Sequence, residues 1–158
     1  MDLTTLIVNY NTAGLLSQCI SALRASAKNV SHEIVLVDNA SADDSVVLLK
    51  SEYSDCKLIF NDKNVGFGRA NNQCLPFIHG RYVLLLNTDA FVSEDTIDKT
   101  IAYMDTHPQC GVLGVKLLGR EGELQPSCRY FPRPWSIFWR SMGLLSLFKS
   151  VQDIDDME

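Results

Sequence analysis

No two of the five cysteines (Cys19, Cys56, Cys74, Cys110, Cys128) form a CxxC pair, and no histidine cluster accompanies them. That excludes a zinc ribbon and argues against a disulfide framework; the scattered odd count reads as reduced thiols of a reducing compartment. A concentrated basic surface is missing too. Lys and Arg number 14 against 19 Asp and Glu, for a net charge of -5. Nucleic acid needs clustered cations and is excluded as the main partner, whereas a single nucleotide in a local site is not. No basic segment and cleavable apolar stretch precede the first strand-like run, so no signal peptide is expected and the chain is placed in the cytoplasm. No apolar run suits a membrane span of about 20 residues. The nearest, Trp135–Val151, is shorter and carries Arg140 and Lys149. Internal repeats and low-complexity tracts are absent as well.

What remains is an ordinary globular composition, 46% hydrophobic and 21% charged over 158 residues, enough for one compact domain with a real core. Short β-branched apolar runs alternate with helical periodicity. Thr4–Asn9, Glu33–Asp38, Lys57–Asn61 and Tyr82–Leu86 read as strands. Between them, Leu15, Leu16, Cys19, Ile20 and Leu23 recur at helical spacing, and Ser41 offers an N-cap ahead of Asp43 and Asp44. A third helix is expected over Gly66–His79, irregular near Pro76, and a fourth from Glu94 to His107 behind a Ser93 cap. This alternation predicts an α/β fold, a mostly parallel sheet with helices on both faces. Beyond it, Gly111–Leu117 reads as a further strand, Gly119–Gly122 as a turn and Leu124–Ser127 as a short partner.

Ligands of parallel sheets bind outside the carboxyl ends of the strands. Those ends read Asn9-Tyr10-Asn11, Asp38-Asn39-Ala40-Ser41, Asn61 before Asn64-Val65-Gly66-Phe67, and Asn87-Thr88-Asp89. Asn and Asp are also ordinary turn residues, so each site has a structural reading beside the functional one. Asp38 is placed either to accept from a base N–H or ribose hydroxyl, or to cap a turn. Asp89 follows the most apolar strand, and one carboxylate holds Mg²⁺ or Mn²⁺ if a diphosphate completes the shell. Gly66-Phe67-Gly68-Arg69-Ala70 opens a helix, where glycines allow close approach and Arg69 supplies positive charge. It is not a dinucleotide fingerprint. That motif follows the first strand, and Asn71 stands where its last Gly or Ala belongs.

Val8–Asn11, Glu33–Ser41, Asn64–Asn72, Leu84–Asp89 and Gln125–Pro132 together resemble family 2 glycosyltransferases, most closely the bacterial rhamnosyltransferase-like subgroup. The resemblance implies a GT-A fold, a nucleotide-diphospho-sugar donor and a divalent metal. By it, Asn9, Tyr10 and Asp38 face the base, Gly66 and Arg69 lie near base and diphosphate, and Asn71 and Asn72 tie the helix to a neighbouring loop. Asn87-Thr88-Asp89 takes the place of the family's Asp-x-Asp motif. Asn87 replaces its first acid and is expected on the nucleotide-sugar, leaving Asp89 as the metal ligand. Residues 1–127 would form the donor-binding domain and 128–158 part of the acceptor side. The implied reaction is an inverting displacement onto a saccharide or lipid-linked acceptor of the cell surface.

The family's general base lies in a downstream Glu-Asp motif that is not found here, so the chain reads as C-terminally truncated. Asp153, Asp155, Asp156 and Glu158 are the carboxylates left after Pro132, and they read as a solvated tail. The rival reading is a non-catalytic donor-binding module. Trp135–Val151 has two readings, a helix packed on protein or one lying at the inner face of the membrane with Trp135, Phe138, Trp139, Leu145 and Phe148 inserted.

Overall fold

The computed structural model describes residues 1–119, 121–125 and 134–142. The chain divides into two compact units, Met1–Gly111 and Val112–Glu158.

The first unit is built on four parallel strands, β1 (Leu3–Asn9), β2 (His32–Asp38), β3 (Lys57–Phe60) and β4 (Tyr82–Asn87), in the order β3-β2-β1-β4. β1 is central, pairing Leu3 with His32 and Asn9 with Asp38 on one side, Leu3 with Tyr82 and Val8 with Asn87 on the other. Its residues alternate between the two faces of the sheet. Leu3 and Ile7, with Ile34, Leu36 and Leu86, meet helices α1 (Ala13–Ser26), α2 (Ser45–Glu52) and α4 (Thr96–Thr106). Leu6, Val35 and Val37 meet Ala70 and Cys74 of, or just after, α3 (Phe67–Gln73). Helices therefore cover both faces. α1 contributes Leu16, Cys19, Ile20 and Leu23, one helical stripe with no exposed surface. Each such large aliphatic side chain contributes roughly 1.5–3 kcal/mol by leaving water.

Several boundaries differ from the sequence expectation. Ser41 caps no helix: α2 begins at Ser45, with Asp44 at the cap position. Ser93 does not cap α4 through its side chain either; its backbone carbonyl accepts from Thr96 N–H in a turn that precedes the helix. α3 stops at Gln73, and a 3-10 turn at Leu75–Phe77 follows, because Pro76 has no N–H to continue the helix. Among the described helices of the first unit, none covers the second face of β4. α3 packs on β1 and β2, leaving Val83 and Leu85 of β4 45% and 58% exposed.

In the second unit the strand expected over Gly111–Leu117 shrinks to β5 (Leu117–Leu118), paired antiparallel with β6 (Leu124–Gln125). Among the described residues, 111–116 adopt no strand. Gly122 N–H donates to the Gly119 carbonyl at 3.1 Å, with Gly122 at φ +82° in the left-handed region. A helix α5 (Pro134–Ser141) carries an edge-to-face Trp135–Phe138 pair, with ring centroids 6.2 Å apart. Among the described residues no helix is long and apolar enough to cross a membrane. Asp153, Asp155, Asp156, Glu158, Leu145 and Phe148 lie outside the described residues, as does Cys128.

Candidate functional site

The parallel sheet brings the ends of β1, β2 and β4 to one edge, and a second layer of hydrogen bonds fastens the loops that leave it. Asn9 and Asp38 are neighbours in register, both buried. A buried carboxylate needs hydrogen-bond donors to be tolerated. Asp38 receives the Asn9 amide at 2.8 Å and the Ser41 backbone N–H at 3.0 Å. Asn9 Nδ2 also donates to Ser41 Oγ (3.0 Å), which accepts Asn11 N–H as well (2.9 Å). Further along, Asn11 Oδ1 accepts Ala42 N–H at 2.7 Å and Asp43 accepts Ala13 N–H at 2.9 Å. The loops after β1 and β2 are thus stitched together at successive positions. The stitching forces Asn11 to φ 55° and Ala40 to φ 67°, a region that asparagine tolerates and alanine rarely enters. Asp43 also accepts Ser45 N–H at the start of α2. Burial alone would raise its carboxyl, but the bonds from Ser45 and the Ala13 backbone prevail and hold it below the usual carboxylate value.

A second set of amides holds the loop after β3. Asn39 donates to Asn64 Oδ1 (2.8 Å) and accepts from Asn61 Nδ2 (3.1 Å) and Val65 N–H (3.0 Å). Asn61 and Gln73 exchange paired amide bonds at 3.0 and 2.9 Å. Gly66 then turns the chain into α3 at φ +85°, which is why glycine stands there; the space around it is open.

Between these loops lies a cleft of about 500 Å³. Of the residues singled out in the sequence, Tyr10, Gly66, Asn87 and Asp89 line it. Asn9 and Asp38 lie beneath, buried, and Arg69 is exposed on the first turn of α3 without lining the cleft. Asn39, Asn64, Phe67 and Thr88, quoted in the strand-end segments without a role of their own, line it as well, whereas Thr12 and Leu15 were missed as cleft residues. Leu15 shares the helical spacing of Leu16, Cys19, Ile20 and Leu23, but it is half-buried and lines the cleft. The signal that could have found Phe67 is an aromatic residue standing between two glycines at a helix start, where no core position is expected.

The cleft combines two exposed aromatic residues, Tyr10 (48%) and Phe67 (53%), with amide and hydroxyl groups and one carboxylate, Asp89. The Asp89 side chain is exposed, and no hydrogen bond or ion pair engages it among the described residues. Behind the 87–89 loop, Cys19 Sγ donates to Asn87 O at 3.5 Å. Burial, and then the negative charge of Asp89, push the Cys19 thiol up to about 11, so it stays a donor. Among the described residues no group of three His, Cys, Asp or Glu side chains could hold a metal by itself. The donor set fits a cation nonetheless, if phosphate oxygens complete the shell around the unengaged Asp89 carboxylate.

Aromatic walls, amide groups and a lone carboxylate thus stand at the strand ends of a parallel sheet, where α/β domains bind their ligands. The chain belongs to glycosyl transferase family 2, whose pattern matches residues 4–156. It is 22% identical over 134 residues to TarS, the poly(ribitol-phosphate) beta-N-acetylglucosaminyltransferase of Staphylococcus aureus, covering 82% of this chain and 23% of TarS. Against the succinoglycan biosynthesis protein ExoO of Rhizobium meliloti, identity is 30% over 105 residues, 66% of this chain and 30% of ExoO. The chain therefore spans less than a third of either relative. The fold is that of the crystal structure of S. aureus TarS, with a TM-score of 0.69 at 21% identity, over 84% of this chain and 24% of that one. A mannosyltransferase from Pyrobaculum calidifontis, solved with GDP-Man and Mn²⁺, superposes with a TM-score of 0.58 at 22% identity, over 65% and 32%. The fold expected from sequence, a GT-A α/β domain, is the one observed.

Proposed function

We propose that this chain binds a nucleotide-diphospho-sugar and a divalent metal as the donor side of a glycosyltransferase. The sugar would pass to a saccharide or lipid-linked acceptor in cell-surface polysaccharide assembly. The observation that carries the reading is the cleft itself: Tyr10 and Phe67 offer faces for a planar base, and an unengaged Asp89 lies where a diphosphate would leave the sheet. The relatives support the donor class. TarS has been solved with UDP and with UDP-GlcNAc, and the mannosyltransferase with GDP-Man and Mn²⁺. A thymidine diphosphate donor and the rhamnosyltransferase-like subgroup belong to the same proposal on the motif resemblance alone.

Each residue has a role in this reading. Tyr10 packs on the base, while buried Asn9 and Asp38 act from below by holding the loop that carries Tyr10. Gly66 lets the backbone turn beside the nucleotide, Asn87 bonds the donor, and Arg69, outside the cleft on the first turn of α3, adds positive charge for the diphosphate. Asp89 would hold Mg²⁺ or Mn²⁺, which stabilises the departing diphosphate when bound. In the inverting displacement, an acceptor hydroxyl oxygen bonds to the anomeric carbon as the bond to the diphosphate oxygen breaks, and the hydroxyl proton passes to a base. Peripheral contact with the inner face of the membrane is also proposed. It is supported by exposed Trp135 and Ile137 on α5 and by the absence of any Asp or Glu between Leu124 and Gln152.

Calorimetry with UDP, GDP and dTDP, each with and without Mn²⁺, tests the donor reading. Mn²⁺-dependent binding by the wild-type chain and its loss in Asp89→Ala, with the thermal midpoint retained, is the expected result. Equal Mn²⁺-dependent binding in the variant removes Asp89 from the metal site.

A second reading, donor binding without transfer, is favoured by one observation: among the described cleft residues Asp89 is the sole carboxylate, and the metal claims it.

A further inference from the structure

A cation site needs oxygen lone pairs turned toward the ion, so any hydroxyl beside it must send its proton elsewhere. The hydrogen-bond chain under the cleft fixes where those protons go. Asp38 as a carboxylate can only accept, so the Asn9 group 2.8 Å from Oδ1 must be its NH2. The same NH2 serves Ser41 Oγ, which leaves Asn9 Oδ1 as an acceptor. Thr12 Oγ1 lies 2.6 Å from that oxygen and donates its one proton to it. Thr12 can then act toward Thr88 Oγ1, 2.9 Å away, only as an acceptor. Thr88 must donate, and its single proton is committed. The lone pairs of its oxygen remain, on a residue that lines the cleft next to Asp89. The polarity of a buried carboxylate is in this way carried across three side chains and delivered as an acceptor at Thr88, 6% exposed at the cleft wall.

We infer that the Thr88 hydroxyl is a cation-facing acceptor, oriented by Thr12 through Asn9 and Asp38, that acts with Asp89 on a divalent metal or its bound water. The inference rests on the donor reading above. It explains the residue types. Serine or threonine at 12 and 88 keeps the chain polarised, whereas a valine at either position has the same shape and cannot.

The test is Mn²⁺ uptake by the 158-residue chain with saturating UDP, GDP or dTDP, followed by the loss of the free-ion electron paramagnetic resonance signal. Loss of a group that orients a metal's surroundings typically costs about 10–100-fold in metal affinity. Thr88→Val is therefore expected to weaken Mn²⁺ binding roughly tenfold or more, Thr12→Val to weaken it less, and Thr88→Ser to restore it. The loss should be larger for Mn²⁺ than for metal-free diphosphate, which a merely structural role for Thr88 would not produce. Thr12→Val, on a partly exposed residue, carries the test if Thr88→Val fails to fold. Wild-type uptake that Thr88→Val or, failing that variant, Thr12→Val leaves unchanged overturns this inference alone. No uptake by the wild-type chain with any of the three diphosphates overturns the donor reading and this one together.

Discussion

Asp38 shows how far a residue's chemistry can be read without its neighbours. The position after an apolar strand announces a carboxylate at the sheet edge, and the sequence left open whether it meets a nucleotide base or a turn. In the structure its two oxygens meet Asn9 and the Ser41 backbone, and the residue is 1% exposed. The residue type was legible; which atoms it faces was not, because that depends on a loop whose alanine at 40 adopts φ 67° against its preference. Removing an acceptor that leaves buried donors unsatisfied costs about 1–3 kcal/mol. Asp38→Ala should therefore lower unfolding free energy by about that amount in urea titrations, with weaker nucleotide binding as a consequence. Unchanged stability with a lost nucleotide site would return Asp38 to direct contact with the base.

At the level of elements, periodicity sufficed for β1, β2, β3 and β4, whose observed spans differ from the expected ones by a residue or so at either end. Apolar runs mark buried strands because both faces of a central strand leave water. Caps were harder. Ser41 and Ser93 have the right side chain for an N-cap, yet Ser41 Oγ is claimed by Asn9 and Asn11, and α4 starts three residues after Ser93. Glycines carried no distinguishing mark either. At Gly80 a Cβ would overlap the Thr4 backbone nitrogen and stand 2.6 Å from the Leu3 carbonyl carbon, while Thr4 Oγ1 accepts Gly80 N–H. At Gly68 nothing lies within 4 Å. Gly80→Ala is expected to destabilise by about 1–3 kcal/mol through forced backbone movement. Gly68→Ala, inside α3, should stabilise by up to about 1 kcal/mol. Denaturant unfolding of the two variants checks the contrast, and similar values for both would mean that the β1–Gly80 contact relaxes freely.

Across the whole molecule, the N-terminus is tied to distant elements through charge. Asp2 accepts from Ser31 hydroxyl and N–H and from Arg81, which also grips Asp105 of α4. The Ser31 hydroxyl first, then the Ser31 backbone and Arg81, hold the Asp2 carboxyl down from 3.8 to about 2. A depressed carboxyl stabilises the fold above its unfolded value and loses that contribution as pH falls through its folded value. The excess stability of wild type over Asp2→Asn should hold at pH 7 and vanish as pH falls from about 4 to about 2; a pH-independent difference would show that Asp2 acts by shape rather than charge. Catalysis is a property of the same scale. If Asp89 holds the metal, no second carboxylate remains among the described cleft residues, and the 158-residue chain is then expected to bind donor while transferring sugar slowly. A positioned base contributes about 10²–10⁴-fold. Robust glycoside formation from UDP-, GDP- or dTDP-sugars, Mn²⁺ and a lipid-linked acceptor mixture would place a base elsewhere in the chain.

Cys19 and Cys74 give this domain a way of reporting on itself. Cys19 points from α1 into the core beside the end of β4 and Cys74 lies in the core just after α3, so each face of the sheet holds a thiol with no exposed surface. Burial pushes both up to about 11, with the Asp89 charge adding to Cys19. Thiolate is the reactive form, so at neutral pH neither can be alkylated until its own face opens. The rates at which the two become labelled, resolved by mass spectrometry, time the breathing of each layer separately. Cys19, bonded to the Asn87 carbonyl, times the loop that carries Asp89.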